Sequence, residues 1–411
     1  MILRAKYAIL NSRTIIEDGA VVLCGSKIQE VGRYTEIRDP CSIKVIDLGS
    51  AVIMPGLINT HTHLELTHHK NLVDHYARFT DWLFQIVTKS NCDDHRQVNQ
   101  AISDGIQLSL AGGATTIGNI QSSEKGLETL KYSQIRKIVF LETLGLSPHV
   151  FFDESERINK RLKSLRNDDL FTIAVTPHAP YSTSAKLYQY CADIARLNRL
   201  HLSTHIAETE AEIEFLQHGT GEFTELLNML GISLDVWDPP EVTPIIYLRQ
   251  QGVLDLQPLL AHCNYLTDKD IDILSKSGSS VAFCPRSHKY FHHTNHPIMR
   301  LISAGVNVSI GTDSLASNWS LSMLDELKFL ANNYEELSSE TLISLLTING
   351  TKSLKLKNIG KLEKDWQADL IAVGISDDGR PVFDQVCDET SENLMTIVAG
   401  TICYKNENLE I

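Results

Sequence analysis

The chain has 411 residues, 43% of them hydrophobic and 21% charged, enough for one large α/β domain with a smaller appendage or for two ordinary domains. Its 37 Lys and Arg residues stand against 51 Asp and Glu, a formal net charge of −14, which argues against a nucleic acid or an anionic membrane as the main partner. Eight scattered cysteines lack zinc-ribbon or redox pairing, and no apolar run has signal-peptide or bilayer length, so reduced thiols and a cytoplasmic location are expected.

In chain order, residues 1–50 show short β-type runs such as Thr14-Ile15-Ile16 and Ala20-Val21-Val22-Leu23, punctuated by Asn11-Ser12, Asp18-Gly19 and Cys24-Gly25-Ser26. The same texture returns at 368–373 and 395–400. Neither end carries enough residues for its own core, so 1–50 and 360–411 are expected to pair into one small β-sandwich-like domain. Between them, 51–359 alternates apolar strand-like runs with helical stretches, the mark of βαβ units. Eight such runs occur, at 52–57, 114–119, 137–142, 171–176, 200–205, 258–262, 280–284 and 306–311. They predict a (β/α)8 barrel of the TIM type. Nearly every run ends near a chemically capable residue: His61 and His63, Asn119, Glu142, His178, His205, His262, Arg286 and Asp313. A barrel gathers those ends around one mouth.

The run Pro55-Gly56-Leu57-Ile58-Asn59-Thr60-His61-Thr62-His63 ends in two histidines one residue apart. Alternate side chains of an extended chain share a side, so His61 and His63 can present two imidazoles to one point. Alone, the pair also suits the polar end of a strand. His205 adds a third imidazole and Asp313 a carboxylate, a nitrogen and oxygen set able to hold one divalent ion with room for water. Zinc is the first expectation and ferrous iron the second, because these donors accept either. Such a site lowers the pKa of its water toward about 7, which yields a hydrolytic nucleophile. Glu208, three residues after His205, suits proton transfer, or a plain helix N-terminal position. His262 suits proton shuttling, or a satisfied core histidine. Glu208, His262 and Asp313 thus form the expected catalytic set.

This arrangement resembles the amidohydrolase superfamily over nearly the whole chain. Its marks are Pro55 to His63, Thr204-His205-Ile206-Ala207-Glu208, Ala261-His262-Cys263 and Gly311-Thr312-Asp313-Ser314. Binuclear members carry a carboxylated lysine on the fourth strand; 171–178 contains no lysine, so the resemblance implies one metal. Within the superfamily the chain is similar to the aminohydrolases of nitrogen heterocycles, such as guanine, methylthioadenosine/S-adenosylhomocysteine, aminodeoxyfutalosine and triazine enzymes. Pro177-His178-Ala179-Pro180-Tyr181-Ser182 matches that branch, and His205-Ile206-Ala207-Glu208 carries its acid/base signature. The resemblance implies hydrolytic attack on an amino-bearing ring carbon, with Glu208 protonating the adjacent ring nitrogen and ammonia leaving.

Two departures stand out. Relatives often read Cys-Pro-x-Ser-Asn after the seventh strand, where this chain has Cys284-Pro285-Arg286-Ser287-His288; the glycine-lysine usual before Ala368-Asp369 is also missing. Arg286 suits a bidentate clamp on a substrate carboxylate, or a tie within a loop. The segment 67–89 is long enough to cover the mouth. In it Phe79, Trp82 and Phe84 suit stacking on a planar ring, while Phe79, Trp82 and Leu83 also suit one packed helix face. His178 and Glu142 complete the expected substrate contacts. His68, His69, His292, His293 and His296 read as loop residues, with no acidic or cysteine partner spaced to complete a second metal site. The nucleobase-deaminase signature His-x-Glu with Pro-Cys-x-x-Cys is absent, as is His-Glu-x-x-His. The leading expectation is a deaminase of a small heterocycle such as an aminopurine nucleoside, with a homo-oligomer left open. Its rivals are a chlorohydrolase or cyclic amidase on the same barrel, and a non-catalytic scaffold.

Overall fold

The computed structural model describes residues 1–37, 44–73, 76–235 and 237–409; Cys41 falls outside them, and the other seven cysteines are free thiols. The N-terminal strands β1 (Ile2–Asn11), β2 (Thr14–Cys24), β3 (Lys27–Arg33), β4 (Val45–Asp47) and β5 (Ala51–Pro55) precede eight barrel strands. These are β6 (Leu57–Thr62), β7 (Ala114–Gln121), β8 (Arg136–Thr143), β9 (Phe171–Pro177), β10 (His201–Ile206), β11 (Leu259–His262), β12 (Ser280–Phe283) and β13 (Asn307–Ile310). Three more, β14 (Leu370–Gly374), β15 (Glu392–Val398) and β16 (Thr401–Lys405), return to the first group.

The terminal strands form one sheet in the order β16-β15-β14-β5-β1-β2-β3, with β4 beside β1. It curls back on itself. Ile28 N–H donates to Trp366 and Ala368 N–H to Ser26, so the β3 edge meets the segment leading into β14. Leu3, Val21, Ile53, Leu370 and Ile397 form the enclosed core.

Strands β6 to β13 form a parallel sheet in sequence order, and the Thr62 to Asp313 bridge brings its two ends together as a nearly closed TIM-type barrel. Gly311 permits this approach, because a Cβ there would lie 2.8 Å from the His61 carbonyl oxygen. Seven of the eight expected runs fall on barrel strands; the first divides. Its residues 52–55 pair with β1 and β14 in the terminal sheet, and the barrel begins at Leu57. Every residue of 51–62 is buried, so hydrophobicity marks no boundary. The boundary is set by backbone chemistry: Pro55 lacks an N–H, and Gly56, whose Cβ would sit 2.2 Å from Thr115, donates its N–H to Asp369 at 3.0 Å.

At the barrel floor, Arg136 donates to both oxygens of Asp369, at 2.6 and 3.2 Å, and fastens the terminal sheet to β8. Near the mouth, α1 (Phe79–Ser90) is followed by α2 (His95–Ala111). Among the described residues no helix is long and apolar enough to cross a membrane.

Candidate active site at the barrel mouth

Four non-glycine residues at the C-terminal ends of barrel strands have positive φ: Ala207 (52°), His262 (71°), Cys263 (55°) and Asp313 (59°). Left-handed backbone disfavours side chains with a Cβ, and such strain accumulates at functional sites. Here it turns the chain sharply at three strand ends, where the sequence places chemically capable residues.

His63 Nε2 lies 3.2 Å from both His61 Nε2 and His205 Nε2. Asp313 Oδ1 lies 3.8 Å from His61 Nε2 and 3.6 Å from His63 Nε2. Ser287 and Ser317 each donate a hydroxyl to the other oxygen, Oδ2, at 2.7 Å, leaving Oδ1 facing the imidazoles. His205 Nδ1 donates to the His178 carbonyl at 3.0 Å, which leaves a lone pair on Nε2. Burial lowers the pKa of His61 and His205 well below the ordinary value and lowers that of His63 despite Asp313 nearby. These rings are therefore neutral donors. Crowded neutral nitrogens and a carboxylate oxygen converge with few protons to share, and that donor set fits a borderline divalent cation.

Glu208 and His262 sit beside this cluster, with Oε1 and Nε2 3.5 Å apart and both side chains buried. Burial, then the nearby Asp313 and Glu212, raises the Glu208 pKa well above the usual carboxylate range. Burial lowers His262 to about 4. A carboxyl that retains its proton next to a neutral imidazole suits proton transfer. Sequence reasoning missed the group that aims Glu208. Fully buried Glu212 accepts the N–H of Ala207 on one oxygen and that of Glu208 on the other, both at 2.9 Å. The signal was masked, because Thr209-x-x-Glu212 reads as a helix start, and Thr209 does accept the Glu212 N–H.

The remaining candidates occupy different settings. His178 lies 4.8 Å, ring to ring, from His205, and its Nδ1 pairs with Ser182 Oγ at 2.6 Å. Glu142 is buried, and burial together with Glu65 raises its pKa to about 8. Arg286 donates to Ser320 at 2.8 Å, pairs with Asp325 at 3.5 Å and lies over the Trp319 ring, so its guanidinium is already engaged within the loop. Trp82 donates Nε1–H to the Ala316 carbonyl at 3.3 Å and packs its ring 4.8 Å from Phe291; Phe79 lies 4.9 Å from the same ring. Both aromatics thus join a packed cluster that holds α1 to the segment just past Asp313.

The amidohydrolase family model matches residues 52–402, which hold the whole barrel and this site. The chain belongs to the amidohydrolase family. As a member it is a hydrolase of the class acting on carbon–nitrogen bonds outside peptides. The 5-methylthioadenosine/S-adenosylhomocysteine deaminase of Thermodesulfovibrio yellowstonii is 27% identical over 406 residues, 93% of this chain and 87% of its own length. Helicobacter pylori aminofutalosine deaminase, solved with methylthio-coformycin, superposes with a TM-score of 0.85 at 25% identity, covering 98% of this chain and 100% of that one. An adenosine deaminase from Xanthomonas campestris with bound zinc has the same fold, with a TM-score of 0.83, 23% identity and coverage of 100% and 94%.

Proposed function

We propose that this amidohydrolase is a mononuclear, metal-dependent deaminase of an aminopurine-like nucleoside or related heterocycle, of the methylthioadenosine/S-adenosylhomocysteine or aminofutalosine kind. The observation that carries the reading is the buried Glu208–His262 pair set against the donors His61, His63, His205 and Asp313, of which His61, His63 and Asp313 converge as one group and His61 and His205 converge with His262 as another. A divalent ion on those four residues, zinc first and iron second, would supply an activated water at neutral pH. Glu208, which holds its proton in this fold, gives it to the ring nitrogen beside the amino-bearing carbon as hydroxide adds to that carbon, and is left as a carboxylate. The Glu208 carboxylate then accepts the proton of the newly added hydroxyl and passes it to the amino group, so that the carbon–nitrogen bond breaks, ammonia leaves and the ring carbonyl forms. His262 holds the water's orientation through its contact with Glu208, and the Glu212 bonds keep the Glu208 backbone fixed during both transfers. Glu142 and His178 are proposed to contact the substrate from adjacent strand ends. Arg286, held by Ser320 and Asp325, shapes the loop that carries Ser287 to Asp313.

The relatives above are named for removing amino groups from adenosine-like molecules, and this supports the choice of substrate class. The test is ammonia release by metal-replete protein from a panel of adenosine, methylthioadenosine, S-adenosylhomocysteine, aminofutalosine, guanine and aminotriazines. The reading requires turnover of at least one. Failure on the whole panel overturns it.

A further inference from the structure

Outside the mouth, the structure brings together two histidines and a carboxylate that the sequence keeps apart. His68 and His69 close the 3-10 segment Leu64–His69, which leaves the barrel directly after His63. Asp93 lies in the turn between α1 and α2. His68 Nε2 and His69 Nε2 each lie 3.0 Å from the same oxygen, Asp93 Oδ2, and one donor atom from each of the three residues falls within 4.8 Å of the others. Along the chain no acid is spaced to complete a second metal site with these histidines. Folding supplies it by bringing the α1–α2 turn against the 3-10 segment.

We propose that His68, His69 and Asp93 form a second, peripheral site for a zinc-class divalent ion. Donors around tetrahedral zinc, at bond lengths of about 2.0–2.1 Å, stand roughly 3.3 Å apart, close to the 3.0 Å separations found here. Both Nε2 atoms lie beside one carboxylate oxygen, so the three donors are already gathered. The His68 side chain is 27% exposed and that of His69 only 4%, which leaves one side open to water and makes this a more exchangeable site than the one at the mouth. Its occupant would join the segment after His63 to the end of α1, the helix whose Trp82 packs beside the Asp313 loop. The ion would thus act as a staple on the cover of the mouth rather than as a participant in hydrolysis.

The experiment is calorimetric zinc titration of protein already loaded with one equivalent of metal, for wild type, His68→Gln and Asp93→Asn. Wild type should bind one further equivalent more weakly than the first, and its melting temperature should rise with zinc. Both variants should lose that equivalent and the rise while retaining the first metal. His68→Gln, at a part-exposed position, keeps the test usable if Asp93→Asn folds poorly. A wild type that saturates at one equivalent, or variants that titrate as wild type does, overturns the proposal. Because the readout is binding stoichiometry, failure of the deaminase reading leaves this test intact.

Discussion

The two ends of the barrel bury polar groups in opposite ways. At the floor, Arg136 meets both oxygens of Asp369, donates also to the Asp169 carbonyl, and leaves Asp369 to accept the Ala399 N–H as well. The charges satisfy one another, as a structural joint requires. At the mouth, three imidazoles crowd one point, His61 Nδ1 is buried without a partner, and four strand-end residues hold positive φ. Converging neutral imidazoles beside a carboxylate oxygen suit a bound cation. The contrast sets a structural joint apart from a cluster of donors that fits an added ion.

Removing a donor at the mouth should have the largest effect. His205→Ala should lower bound metal, read by elemental analysis, and bring ammonia release to background, exceeding the about 10²–10⁴-fold expected from losing a proton-transfer group alone. A fully loaded, active variant would remove His205 from the donor set. The floor should respond in the other currency. Asp369→Ala strands a buried guanidinium and should cost about 3–5 kcal/mol in denaturant unfolding while the folded fraction keeps its metal. Full stability in that variant would break the comparison.

The smallest effect is on pH dependence. Glu142 has a folded pKa raised to about 8, so between its unfolded value and that point the native state binds more protons than the unfolded chain. Its contribution is fully present below the unfolded pKa and is lost as pH rises through about 8. Stability should therefore fall over that interval, and Glu142→Gln should flatten the fall in urea midpoints. An unchanged slope would show that the carboxyl is ionised in the fold.

Much of this was legible in the chain because parallel strands buried on both faces read as apolar runs, and seven of eight lie on barrel strands. The first was misplaced because one continuous buried run serves two sheets, with only Pro55-Gly56 to divide them. The donors and Glu208 were visible as rare residue types at strand ends. What stayed hidden are partners of common type or distant position. Ser287 and Ser317 are unremarked serines until their hydroxyls reach Asp313. Glu212 looks like part of a helix cap, and Asp93 joins His68 and His69 only through the packing of α2. The aromatics of α1 fitted either stacking on a substrate or packing in a helix face, and their contacts with Phe291 are those of packing.

Glu208 is proposed to transfer protons beside a metal held by other residues. Ammonia release and metal content, measured together on wild type and Glu208→Gln with the best panel substrate, test it most directly. Equal metal in the two proteins is expected, with a loss of about 10²–10⁴-fold in kcat for the variant. Wild-type turnover in a fully loaded Glu208→Gln protein would contradict it.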